Sequence, residues 1–327
     1  FERHVVGERA QLADDVTLEF VDAGHILGSA SAHVSVGRAG QTRTMVFSGD
    51  LGQPGRPLMN DPAPPPAADV LLVESTYGDR DHRSGRATED ELVDVINKTL
   101  PRGNVVIPAF AVGRTQEMLY WLVELIRQQR VPRLNIFVDS PMATAATHLT
   151  ETYAQSLDDD AKRAFAWWHQ HRHLAEIRFT ADVEESKRLN QIQAGAVIIS
   201  ASGMCDAGRI KHHLRWNLPR PQSAVVITGY QAEGTLGRRL VEGAKTVKLL
   251  GDTVPVRAAV HTLGGLSAHA DRTALLAWLR RAPRPPAQTF VVHGEPGPAA
   301  ALADAVRDQL GWPKVVVPQA GQTFKLD

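Results

Sequence analysis

The sequence predicts an α/β protein in two parts: a β-rich opening that resumes at the end of the chain, and between them a domain with a largely parallel sheet. Three observations carry this. Residues 16–22 (VTLEFVD), 32–36 (AHVSV) and 42–47 (TRTMVF) alternate apolar with polar side chains at period two, separated by glycine-containing turns, as half-buried antiparallel strands do. The proline-rich stretch at 61–66 (DPAPPP) admits neither helix nor central strand and marks a change of pattern. Beyond it, short buried-strand runs alternate with amphipathic helical stretches, which is how a parallel sheet flanked by helices is written in sequence.

Residues 70–73 (VLLV) read as the first of these buried strands. Thr88 and Glu91 form a capping box ahead of Leu92, Val95, Ile96 and Leu100, which recur at helical spacing. Residues 104–107 (NVVI), 134–138 (LNIFV), 196–199 (AVII) and 224–227 (AVVI) repeat the strand signature, and helices such as 118–126 follow several of them. From Val254 onward, strands at 254–263 (VPVRAAVHTL) and 288–295 (QTFVVHGE) flank a helix beginning near Ala270. A helix over 298–310 then precedes a terminal strand at 314–317. The divisions expected are 1–70, 71–253 and 254–327.

Composition narrows the function classes. The 327 residues carry 36 Lys and Arg against 36 Asp and Glu, with 43% apolar residues, which suits one large or two ordinary globular domains. No run approaches the roughly 18 continuous apolar residues of a membrane helix. The single Cys205 forms no internal disulfide, and no secretory signal opens the chain, so a reducing cytoplasm is expected. A formal charge of zero removes the simplest electrostatic argument for nucleic acid, so any such contact must be local.

Catalytic groups in layered sheet folds collect where strands end, because the strand fixes position and the following loop frees the side chain. The strand-ending polar residues are His25, Asp50, Glu74, Asp139, Ser200, Ser202 and His293, with His269 in LGGLSAHAD. Each alone is more often turn chemistry or a capped or core histidine than a ligand. As a set, His25, Asp50 and His293 are zinc-type ligands at strand ends beside glycine, and they suggest a metal site.

The segments DAGHILGSA (22–30), FSGD (47–50), ESTYGDR (74–80), PAFAVGRTQE (108–117), SASGMCDAGR (200–209), GLSAHAD (265–271) and VVHGE (291–295), in this order, resemble the β-CASP group of the metallo-β-lactamase superfamily, which includes RNA-processing nucleases. The resemblance implies a lactamase-type αββα sandwich, N-terminally incomplete in this chain, interrupted by a β-CASP domain, with RNA phosphodiesters hydrolysed in the cleft between them. It implies His25 on a first zinc, Asp50 bridging two zincs and His293 on the second. It implies His269 as the group at the scissile phosphate and leaving oxygen, with Glu74 fixing its tautomer. A histidine at position 293 favours RNA over DNA within the group.

Ser200, Ser202 and Gly203 offer hydroxyls and backbone N–H groups to a substrate phosphate, or else form a tight strand-to-helix turn. Arg114 offers a cation at a helix start, where a solvated arginine is the ordinary reading. The run RIKHHLRWNLPR (209–220) is the densest basic segment and would make binding salt-dependent. His169, His171 and His173 imitate a zinc motif but read as an exposed cluster, and Cys205 reads as a small packed side chain. The family's His-x-His-x-Asp-His motif is absent, and the chain begins at Phe1, so a fragment is expected, itself a poor zinc binder and a poor nuclease. Its lactamase half is expected to expose core surface and to self-associate, a homodimer being one such assembly. Two rival functions stay open: a non-catalytic RNA-binding or scaffold paralogue, and a small-molecule metallohydrolase.

Overall fold

The computed structural model describes residues 4–37 and 42–325. Phe1, on which part of the fragment expectation rests, lies outside the described residues. The chain divides into two compact units, Phe1–His82 with Ala268–Asp327, and Arg83–Ser267.

The first unit opens with β1 (Arg9–Ala13), β2 (Val16–Asp22), β3 (Ala30–Val36) and β4 (Arg43–Phe47), an antiparallel meander in which Phe20 faces Ala32 and Ala32 faces Phe47. Past the proline-rich stretch, β5 (Val70–Glu74) adds in parallel to β4, with Val46 beside Leu71.

The second unit begins with the helix Gly85–Thr99. Ser84 caps it by accepting the Ala87 N–H, one turn ahead of the expected capping box, and the Thr88 hydroxyl instead donates to the Ser84 carbonyl at 3.1 Å. There follow β6 (Val105–Pro108), β7 (Leu134–Val138), β8 (Ala175–Phe179), β9 (Ala196–Ser200), β10 (Ala224–Ile227), β11 (Thr246–Leu249), β12 (Asp252–Pro255) and β13 (Ala259–Thr262). Six of these make one sheet in the order β13-β10-β6-β9-β7-β8, parallel at every pairing described. The single strand expected over 254–263 is two: β12 closes a hairpin with β11, and β13 joins the parallel sheet beyond it. Both faces of the sheet are covered. Val105 and Ile107 point into a core with Leu92, Ile96, Met118 and Leu122, while Val106 between them points into another with Ile210 and Leu214.

On its return the chain lays β14 (Gln288–Val292) beside β5, and β15 (Val315–Val316) beside β14, so the first sheet runs β1-β2-β3-β4-β5-β14-β15. The helices Arg272–Arg280 and Pro296–Leu310 cover one face, packing Leu275, Leu279, Leu302 and Val306 against Val46, Leu71, Val73 and Val291. Each such side chain, fully buried, contributes about 1.5–3 kcal/mol. On the opposite face Leu18, Phe20, Val34, Met45 and Leu72 are only half-buried, and Phe47 is 37% exposed. The units divide after His82 and after Ser267, not at the expected 70/71 and 253/254, because β5 is hydrogen-bonded into the first sheet and β13 into the second. No helix among the described residues is long and apolar enough to cross a membrane.

Candidate metal centre

β2, β4, β5 and β14 all run the same way: β2 and β4 are each antiparallel to β3, and β5 is parallel to both β4 and β14. Their carboxyl ends therefore share one edge of the first sheet. His25 lies just beyond β2, Asp50 beyond β4, Glu74 at the last position of β5 and His293 immediately after β14. His269 comes to the same edge from the segment ahead of the helix Arg272–Arg280, where Gly52 bridges to it.

The five side chains converge. The His293 Nδ1 is 3.2 Å from the Asp50 Oδ1, and the His269 Nδ1 is 3.0 Å from the Glu74 Oε1. The His25 and His269 rings lie 4.3 Å apart, and those of His269 and His293 6.2 Å. Glu74 is buried and fully engaged: its Oε1 also accepts the Leu51 N–H at 2.7 Å, and its Oε2 accepts the Thr76 N–H at 3.2 Å. Burial alone would raise its carboxyl, but the bond from His269, with those from Thr76 and Leu51, outweighs burial and holds it below the usual range. An ionised Glu74 fixes the proton of His269 on Nδ1 and leaves Nε2 as the ring nitrogen for a ligand.

The backbone around these groups has no spare room. A Cβ on Gly52 would stand 1.9 Å from the Gly24 carbonyl oxygen and 2.9 Å from the His25 nitrogen, so only glycine lets this strand end pass beneath the His25 loop. His293 itself is left-handed, with φ of 51°, a conformation that a non-glycine residue holds only where its surroundings enforce it. Sequence reasoning missed the support behind His269. The His82 Nε2–H donates to the His269 carbonyl at 2.8 Å, and the Asp271 carboxylate accepts the His82 N–H and the Gln53 side-chain N–H, both at 3.2 Å. The only hint of it in sequence was a histidine in the segment that follows Glu74.

A divalent metal fits these residues. The His25 Nδ1 is buried with no hydrogen-bond partner among the described residues. Burial first, and then the adjacent His269, lower the His25 imidazole to about 4, so it is neutral and carries a free lone pair at neutral pH. Ligand atoms of His25, Asp50 and His269 all lie within 4.8 Å of one another, a nitrogen and oxygen set suited to first-row divalent ions. The tightest trio thus contains His269, which the sequence had assigned away from the metal, while His293 reaches the cluster through Asp50.

In the second unit the structure redraws the expected phosphate contacts. Arg114 is not the exposed cation expected at a helix start: it is buried in an ion pair with Glu117, on a helix (Arg114–Arg127) whose residues are almost all buried. The Ser200 hydroxyl is buried too and donates to the Asp139 carbonyl at 2.8 Å. Gly203 is packed so close to Phe110 that a Cβ would stand 2.8 Å from the ring, so its role is to let that contact form. Ser202 is half-exposed, and its hydroxyl accepts from Ala207 at 3.4 Å while keeping its own proton to donate. The basic run is largely committed: His213 is fully buried, Arg215 pairs with Asp252 at 2.5 Å and Arg220 bonds the Ile192 carbonyl at 3.2 Å. His169 and His173 are exposed, at and just past the end of the helix Asp159–Gln170, and Cys205 is buried, its thiol raised to about 12 by burial.

Fold and site together define an α/β protein with imidazoles and carboxylates gathered at the carboxyl ends of sheet strands, a nitrogen and oxygen set that fits a divalent metal. Residues 115–240 match the Beta-Casp domain, and residues 253–318 match the Zn-dependent metallo-hydrolase RNA specificity domain. The chain is 41% identical over 281 residues to a ribonuclease of Thermus thermophilus, covering 86% of this chain and 63% of that protein. It is 32% identical over 314 residues to the transcription termination factor FttA of Methanosarcina mazei, covering 93% and 49%. An RNase J-like protein of Methanocaldococcus jannaschii is 33% identical over 292 residues, covering 88% and 66%. The chain belongs to the β-CASP family of the metallo-β-lactamase superfamily. It spans about half to two thirds of the length of the curated relatives it matches.

Proposed function

We propose that the protein acts as a metal-dependent ribonuclease in the cytoplasm, hydrolysing RNA phosphodiesters at the His25, Asp50, Glu74, His269 and His293 cluster, with two zinc ions as the cofactor. The hydrogen bond from the His269 Nδ1 to the Glu74 Oε1, formed beside His25 and Asp50, is the observation that carries this reading. His25 and His293 would hold the metal through ring nitrogens, and Asp50, which stands by both, through its carboxylate. When bound, the metal supplies Lewis acidity toward the phosphoryl group and toward water. The protein's own contribution is orientation and proton handling. Glu74 holds the His269 Nδ1–H, so Nε2 is the atom that meets the phosphate. Once Nε2 has taken a proton from water, the imidazolium, with Glu74 as its counter-charge, passes that proton to the departing oxygen and returns to the Nδ1–H form. Ser202 is the remaining phosphate contact among those expected from the sequence. The ribonuclease and RNase J-like names of two relatives, and the RNA specificity domain over the segment holding His269 and His293, support RNA as substrate.

The test is metal analysis of the whole protein, with cleavage assays on labelled RNA, single-stranded DNA and a lactone, for wild type and His269→Ala. Bound zinc, RNA cleavage and its loss in the variant are expected. RNA binding without metal or cleavage would assign the protein to a non-catalytic role, and lactone turnover without RNA cleavage to small-molecule hydrolysis. Retained cleavage in His269→Ala would remove His269 as the proton donor. His269→Ala with unchanged zinc content would keep that residue off the metal.

A further inference from the structure

With Arg114 buried, the second unit's cationic contact lies elsewhere. The parallel sheet supplies the place. The chain leaves β6 through the helix Arg114–Arg127, which packs on the face of Val105 and Ile107, and leaves β9 through the helix Ile210–Asn217, which packs on the face of Val106. β6 and β9 are neighbours, with Pro108 paired to Ser200, so their connections depart to opposite faces and their carboxyl ends form a topological switch point. Open parallel sheets bind ligands at such switch points.

Arg209 stands at this edge, and the fold holds it in place. The chain from Ser202 to Ile210 folds back on the end of β9: the Ser202 N–H donates to the Ala207 carbonyl and the Ile210 N–H to the Ala201 carbonyl, both at 3.2 Å. A Cβ on Gly208 would stand 2.5 Å from the Ala201 oxygen, which keeps Arg209 close to the Ser200 to Gly203 turn. The Arg209 Nη1 donates to the Asp139 Oδ1 at 2.7 Å and to the Thr180 Oγ1 at 3.3 Å. Asp139 is fully buried and is itself held by Thr180, by the Ser186 hydroxyl at 2.6 Å and by the His213 Nε2 at 2.6 Å. All the side-chain hydrogen bonds of Arg209 among the described residues run through Nη1. The Arg209 side chain remains 22% exposed, so Nη2 and Nε are left to a ligand. Asp182, a carboxylate that also feels the Arg209 charge, already accepts the Glu185 N–H at 2.9 Å as a helix cap.

We propose that Arg209, anchored by Asp139, binds a backbone phosphate of single-stranded RNA beside the Ser202 hydroxyl. This rests on the ribonuclease reading and adds to it the residue that supplies the cation. An arginine already fixed through one nitrogen gives up little further freedom when its other donors fork onto a phosphate.

The experiment uses the whole protein, stripped of metal so that RNA is bound but not cut, and an unstructured labelled oligoribonucleotide followed by fluorescence anisotropy over a salt series. Arg209→Gln is expected to weaken binding about tenfold, as for the loss of one charge-assisted contact. It should also reduce the slope of log Kd against log salt by about 0.7, one phosphate's share on a single strand. In wild type, RNA should protect Arg209 from arginine-specific modification by phenylglyoxal, read by mass spectrometry, a measurement that needs no variant to fold. An unchanged Kd and slope in a folded variant, or an Arg209 modified equally with and without bound RNA, overturns the proposal. Wild type that cleaves RNA while either result obtains leaves the ribonuclease reading standing and this one fallen. Wild type that neither binds nor cleaves RNA ends both.

Discussion

Replacing Glu74 by glutamine changes one oxygen to an NH2 and removes one charge, with almost no change of shape. In the native site three N–H donors converge on this carboxylate: those of His269 and Leu51 on Oε1, and that of Thr76 on Oε2. Whichever way the amide turns, at least one buried N–H meets another donor, at a cost of about 1–3 kcal/mol in stability. Loss of the negative partner to a working imidazole typically lowers metal affinity or activity about 10- to 100-fold, equivalent to about 1.4–2.7 kcal/mol in the barrier. The assay is kcat and kcat/KM for RNA cleavage across neutral pH with the metal-loaded whole protein, alongside thermal unfolding. Glu74→Gln should lower kcat by that factor with little change in KM, and should depress the unfolding midpoint. A variant with wild-type kcat and an unaltered pH profile would refute the assignment of Glu74 as the residue that orients His269.

Other outcomes follow from named contacts. Gly52→Ala should displace the His25 loop, since its Cβ would stand 1.9 Å from the Gly24 oxygen; zinc titration should show weakened affinity and melting a loss of about 2 kcal/mol or more. The carboxyl of Asp139 would be raised by its burial alone, but its hydrogen bonds to His213, Ser186, Thr180 and Arg209 hold it far below the ordinary range. Its contribution is therefore complete above the unfolded value of about 3.9 and lost as pH falls below that. Acid unfolding should accordingly be shallower in Asp139→Asn, although that variant melts earlier at neutral pH. Leu302→Ala, in the fully buried core beneath the first sheet, should cost about 2–5 kcal/mol by denaturant titration. Substituting His169, His171 and His173 together should leave the zinc content unchanged.

His25, Asp50, Glu74 and His293 were legible in sequence because each sits at or just past the end of a strand with small neighbours, and strand ends are what alternation and turn residues reveal best. His269, between β13 and the helix Arg272–Arg280, was joined to them by the resemblance to the β-CASP group. The second unit's contacts were harder. Arg114 opens a segment that looks amphipathic, yet its helix is buried nearly all round, and its partner Glu117 lies one turn on, where an ion pair could have been foreseen. Asp139 stood out only as a strand end. Its tie to His213 spans 74 positions and that to Arg209 spans 70, distances over which no periodicity speaks. The hairpin of β11 and β12 was hidden because Pro255 sits inside an apolar run that reads as continuous. The role of His269 is ambiguous for a physical reason: an imidazole held by a buried carboxylate is equally the form taken by a metal ligand and by a proton donor.

The order in which the site can be synthesised follows from the pairing of β5 with β14. His25, Asp50 and Glu74 leave the ribosome long before His269 and His293, and joining them across an unstructured loop of about 200 residues would cost about 5 kcal/mol of chain entropy. The intervening unit lifts most of that burden once folded, because its own ends meet: Gly265 is packed so tightly against the Arg83 carbonyl and the Thr88 hydroxyl that no Cβ would fit. Maturation of the centre therefore waits on the insert, and a lesion that slows folding of the Arg83–Ser267 unit should delay the appearance of a metal-competent pocket in nascent chains without touching a single ligand.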